Sequence, residues 1–193
     1  RRMRFEASPA YAYYDEKGPA SLRLIREFRP DMKVICSFRD PVKRAYSHWN
    51  MNRQRGKIDL GFEEVIRQER EDEATGRPLR FTYLAQGRYD EIIEALFDAF
   101  PREQVHLMTQ EALKHEHDRV LHEVQTFLGV SPRSLPALIR HQRNYTYEPM
   151  TPEMAADLQA YFAPSTARFA EMTGLNVSTW STAPKRTEAH DLA

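Results

Sequence analysis

The segment Lys33–Phe38 constrains the fold of this chain more than any other stretch. Its apolar run is too short for a helix and suits a β-strand buried on both faces. The run stops at Arg39-Asp40-Pro41, where an aspartate can cap a helix and a proline fits the first turn. From Val42 to Gln54 the period becomes helical. Val42, Ala45, Tyr46 and Trp49 form one apolar stripe, and Ser47 falls outside it, beside Lys43, Asn50 and Gln54. In open parallel sheets, ligands bind beyond the carboxyl ends of the strands. Arg39 stands at such an end, close to the free amides of the next helix. Two readings fit these residues. Arg39 and Ser47 can grip one anion, the guanidinium with its fork of donors and the hydroxyl with one more. Alternatively, Arg39 makes a structural ion pair and Ser47 is simply exposed.

The remaining pattern alternates strands with helices. Met3–Ala7 and Gln104–Thr109 read as two further strands. Helical spacing covers Ala20–Phe28, Gly61–Ala74, Tyr89–Phe100 and Glu116–Leu128, the last closed by Gly129. Thr151-Pro152-Glu153 opens a helix to Phe162, and a second runs from Ser165 to Thr173 before Gly174. Strands separated by helices predict an α/β fold: a parallel β-sheet with helices on both faces. Thr75–Thr82 and Pro132–Pro149 read as surface loops. Residues 1–180 are expected to form one domain, followed by a polar, disordered tail over 181–193. Three strands are few for such a sheet, and Arg1-Arg2-Met3 reads like the middle of a domain. The fold is therefore expected to be incomplete at its N-terminus.

Composition removes several function classes. The 193 residues carry 28 basic and 28 acidic side chains, so no global field attracts nucleic acid and any anion site is local. A nucleic-acid surface built on Lys43, Arg44, Arg53, Arg55 and Lys57 is offset by the acidic run Glu63–Glu73. No apolar stretch is long enough to span a membrane. Cys36, the single cysteine, lies in the apolar run as a buried, inert thiol and leaves no internal disulfide. His106 falls within a strand. The spacing of His115, His117 and His122 fits a solvated helix face better than zinc, so no metal is expected. Tyr83 and Tyr89 either line a cleft or pack in the core.

The decapeptide from Arg39 to His48, RDPVKRAYSH, closely resembles the 3′-phosphate-binding motif of sulfotransferases that use 3′-phosphoadenosine 5′-phosphosulfate (PAPS). The likeness is strongest to the heparan-sulfate type and its bacterial relatives, in which R-D-P-x-x-R-A-x-S recurs. Softer likenesses extend it to Trp180. Glu6-Ala-Ser-Pro-Ala-Tyr11 is similar to an E-K-S/T-P-x-Y segment, departing at Ala7 where glycan-modifying members carry lysine. Gly87-Arg88-Tyr89 resembles a G-x-Y helix start. Val105 to Leu113 resembles the following strand and turn, with Glu111 within it. Leu158–Pro164 and Phe169–Gly174 resemble the closing helices.

This resemblance implies a sulfotransferase fold of the P-loop nucleoside-triphosphate-hydrolase-like kind. It implies sulfuryl transfer from PAPS to a hydroxyl or amine, with adenosine 3′,5′-bisphosphate (PAP) as product. Arg39 and Ser47 correspond to the pair that holds the donor's 3′-phosphate. Arg143, with Arg140 behind it, is the candidate for a basic loop that closes over the donor. The family's 5′-phosphosulfate loop and catalytic base are expected upstream of Arg1; Lys17-Gly18-Pro19 lacks the loop's spacing. His48 is given no catalytic role. The acceptor stays open among small molecules, lipids and glycans, and the departure at Ala7 weighs against a heparan-like one. A cytoplasmic, bacterial-type setting is expected, or a Golgi lumen if an N-terminal anchor exists. The alternative is a nucleotide- or anion-binding module of the same fold without catalysis.

Overall fold

A computed structural model describes residues 4–7, 18–137 and 149–184. The element order is α1 (Gly18–Phe28), β1 (Val34–Phe38), α2 (Pro41–Gln54), α3 (Phe62–Thr75), α4 (Tyr89–Ala99), β2 (Val105–Thr109), α5 (Gln110–His115), α6 (His117–Leu128) and α7 (Pro152–Thr173). Short 3₁₀ turns occupy Ala85–Gly87 and Arg102–Gln104. The architecture is α/β. Strands β1 and β2 pair in parallel, with Val34 opposite Val105 and Phe38 opposite Thr109. They are the two strands of the described residues. Of Met3–Ala7, expected as a third, the described residues 4–7 are exposed and irregular.

One face of the sheet is fully covered and the other is half covered. Val34, Cys36 and Phe38 point inward with Val105 and Leu107, onto α1, α4 and α7. Phe38 meets the Tyr89 and Phe169 rings, both at 4.9 Å between centroids. On the far face, α6 covers β2: the His106 ring lies 5.4 Å from that of Phe127. Lys33 donates to the Phe127 carbonyl and lies over its ring. Ile35 and Ser37, on that face of β1, are exposed. The strand expected to be buried on both faces is thus buried on one, because α6 stops short of it.

A second core lies beside α2. Val42, Ala45 and Trp49, the stripe read from the sequence, pack with Phe62, Val65, Ile66, Tyr83, Leu84, Leu158 and Phe162. Phe100, Phe162 and Phe169 are essentially without solvent contact, and each such ring stabilises the fold by about 1.5–3 kcal/mol. Helix α7 serves both cores, through Leu158 and Phe162 at one end and Phe169 at the other. The two helices expected there are one. Pro164 lies inside α7 with its ring exposed. The proline removes one backbone donor, a cost offset by burial of Phe162 and Phe169 on either side.

The chain after Trp180 does not loosen at once. Ser181 donates its backbone N–H to Asp40 Oδ2 at 2.7 Å, and buried Thr182 accepts from Thr166 Oγ1 at 2.8 Å. Ser181 and Thr182 thus contact Asp40 and Thr166.

Candidate anion site

The site is built where β1 passes into α2. Asp40 is completely buried and caps the helix: Oδ1 accepts from Val42 N at 2.9 Å and from Lys43 N at 3.1 Å. With Ser181 on its other oxygen, this one carboxyl group ties strand end, helix start and C-terminal segment together. The Arg39 backbone is pinned as well, since Tyr89 donates its hydroxyl to the Arg39 carbonyl at 3.0 Å. Burial pushes the Tyr89 phenol up to about 12, so it stays a donor.

The Arg39 side chain turns along α2 rather than away from it. Its Nη2 donates to the Arg44 carbonyl at 3.3 Å. In a helix, a carbonyl lies beside the side chains three and four residues on. For Arg44 those are Ser47 and His48. The guanidinium of Arg39 thus reaches the helical turn that carries Ser47. Both residues are half-buried.

Arg44 and His48 complete the cluster. Arg44 donates to Gln86 Oε1 at 3.2 Å and to the Tyr83 carbonyl. The His48 ring stands edge-on to Tyr83, 5.1 Å between centroids, and pairs with the Gln86 side chain. Its pKa falls to about 4. Burial is the main cause, followed by the positive charges of Arg44, Arg39 and Arg55. The depression thus reports chiefly the burial of the ring, with the neighbouring arginine charges adding to it. One turn further, Asn52 donates to the Tyr83 hydroxyl at 3.0 Å. Arg44, His48 and Asn52 are spaced i, i+4, i+8 and line one edge of α2 against the turn at 82–87.

Arg143 and Arg140 fall outside the described residues, so their part in the site is not settled by geometry. Tyr83 and Tyr89 are both buried and pack in the two cores. Cys36 is held up at about 11 by burial, an unreactive thiol. His117 spends Nε2 on the Leu135 carbonyl at 3.1 Å. Among the described residues, no group of three or more His, Cys, Asp or Glu side chains is arranged to hold a metal ion. Nor is any described helix long and apolar enough to cross a membrane.

The sequence pattern gave Arg44 no role of its own, weighing it only within a possible nucleic-acid surface, and did not single out Gln86 or Glu69. The spacing of Arg44, His48 and Asn52 was a usable signal, since it defines an edge distinct from the apolar stripe. Glu69 carried none. It is a buried glutamate in a helix otherwise rich in exposed charge.

Comparison with known proteins agrees on one family. The profile described as the sulfotransferase domain matches residues 17–151. A bifunctional heparan sulfate N-deacetylase/N-sulfotransferase of Drosophila melanogaster is 28% identical over 134 residues, 68% of this chain and 12% of that protein. The human bifunctional heparan sulfate N-deacetylase/N-sulfotransferase 3 is 30% identical over 131 residues, 66% of this chain and 14% of its own length. The chain thus spans a small fraction of these curated relatives. The crystal structure of a sulfotransferase from Alicyclobacillus acidocaldarius superposes with a TM-score of 0.72 at 28% identity, covering 88% of this chain and 64% of that one.

Proposed function

Since the chain belongs to the sulfotransferase domain family, we propose that it contributes the 3′-phosphate seat of a PAPS-dependent sulfuryl transfer. The observation that carries this reading is the course of Arg39: it leaves a β-strand end and lies along α2 at the turn holding Ser47 and His48. A phosphate there meets a guanidinium and a hydroxyl, beside a His48 that burial first, and then the neighbouring arginines, keep neutral. Such a seat orients the donor and separates PAPS from nucleotides that lack the extra phosphate.

In the reaction, an acceptor oxygen or nitrogen attacks sulfur in line. The bond from sulfur to the phosphate oxygen breaks, and PAP leaves with its electron pair. The acceptor's proton goes to a base, which we assign to no residue of this chain. Residues of the cluster hold the donor rather than move protons. The acceptor is a hydroxyl or amine of a small molecule, lipid or glycan. A glycan gains support from the names of the curated relatives, whereas Ala7 weighs against a heparan-like one.

The direct test compares PAP with adenosine 5′-monophosphate as ligands of the protein, by calorimetry. PAP is expected to bind at least about 10-fold more tightly, the worth of one charge-assisted phosphate contact. Equal affinity for the two would refute the seat. Transfer of sulfate from PAPS by the full-length protein separates an enzyme from a binding module of the same fold.

A further inference from the structure

We propose that Glu69 is the positioning residue of the anion cluster: its buried carboxyl group fixes the turn at 82–87, and through that turn sets Arg44 and His48 on α2. The proposal rests on reading this cluster as the seat of the bisphosphate. Glu69 sits in α3 with no solvent exposure. Its Oε1 accepts from the backbone N–H of Leu84 and of Ala85, both at 2.9 Å. Its Oε2 has no hydrogen-bond partner among the described residues. A carboxyl group is costly to bury, and a leucine would fill the same volume more cheaply. What the glutamate adds is one oxygen that holds two consecutive amides at a fixed height. Burial lifts its pKa to about 7 against those amides, with the Glu73 charge adding to the rise.

The turn so held has no room to slide. Gly87 N donates to the Leu84 carbonyl at 2.8 Å. A Cβ on Gly87 would stand 2.5 Å from the Phe162 ring, so the backbone already rests on α7. Opposite, the same turn presents the Tyr83 carbonyl and Gln86 to Arg44, and the Tyr83 ring to His48. Glu69 acts on Arg44 and His48 through the backbone of the turn, residues 83–86.

The test reads the cluster without any ligand. NMR titration of the His48 ring, assigned with His48→Gln, reports whether Arg44, Arg39, Arg55, Gln86 and Tyr83 still surround it. In Glu69→Leu both amides lose their acceptor. The His48 pKa is expected to rise by a unit or more toward the ordinary histidine range, and PAP affinity to fall about 5- to 10-fold. Glu69→Gln keeps an acceptor oxygen and is expected to restore both readouts. Where the leucine variant does not fold, Glu69→Asp, one methylene shorter, is expected to give a smaller rise of the same sign. A folded Leu or Asp variant with wild-type His48 titration overturns the proposal, as does a Gln variant that behaves like Leu. If the His48 shifts follow expectation while the wild-type protein ignores PAP, Glu69 keeps its role and the bisphosphate reading is what fails.

Discussion

Strands β1 and β2 run parallel, end opposite each other at Phe38 and Thr109, and each passes directly into a helix with a capped first turn. At the first junction the cap is Asp40, buried and holding three backbone amides; at the second it is Thr109, holding Ala112 N at 3.1 Å. The side chains that follow differ in kind. Beside Asp40 stand Arg39, Arg44, Ser47 and His48. Beyond Thr109 stands Glu111, whose Oε2 accepts from the Trp180 indole at 3.0 Å. Backbone geometry is therefore shared, while the charged groups set on it differ: two arginines and a histidine at the first junction, a carboxylate bonded to Trp180 at the second. Both junctions also anchor the C-terminal segment, the first through Asp40 and Ser181, the second through Glu111 and Trp180. A strand end followed by a capped helix is a frame; on the proposed function, the charge set on the first one is what lets it bind an anion.

The sharpest way to break this contrast is Asp40→Ala. Three amides lose their acceptor in a buried place, and unfolding stability is expected to drop by about 3 kcal/mol or more, read from urea denaturation. Arg39→Ala should do the reverse: PAP affinity falls about 10- to 100-fold by calorimetry, while the unfolding midpoint hardly moves. Acid should act on the first junction through His48. Its native pKa of about 4 lies below the ordinary 6.5, so the unfolded chain takes up the proton first. The stability this ring contributes is complete above pH 6.5 and is lost as pH falls toward 4. Discounted for solvent screening of a half-buried ring, it amounts to about 1–2 kcal/mol. His48→Gln is expected to flatten that slope in denaturation curves taken from pH 7 to 4. Thr109→Ala should cost about 1 kcal/mol and leave PAP affinity unchanged. Ser47→Ala, removing one neutral donor, should weaken PAP about 2- to 10-fold at the low end of the series. If Thr109→Ala lowered PAP affinity as much as Ser47→Ala, the two junctions would not be functionally distinct.

Local pattern predicted the parts of this fold that local physics determines. The two paired strands and helices α2, α4 and α6 follow from apolar period and cap residues, and their limits agree within a residue or two. Pro164 was misleading. A proline reads as a stop, yet here its ring faces solvent and burial on both sides keeps α7 whole. Helix α5 was missed because six residues hold too little period to detect. Arg39, Asp40 and Ser47 stood out because they sit at fixed offsets from a strand end and match a family motif. Arg44 and Glu69 did not, because a charged residue in a helix reads as solvent-facing until its tertiary partners are known. For Arg44 those partners lie 39 and 42 residues away.

Helix α7 gives the molecule a single spine. Its N-terminal half belongs to the core beneath α2, and its C-terminal half to the core beneath the sheet. Unfolding of α7 would withdraw Leu158 and Phe162 from one core and Phe169 from the other. Heating the protein should accordingly produce one calorimetric transition, with the binding end and the sheet end melting together.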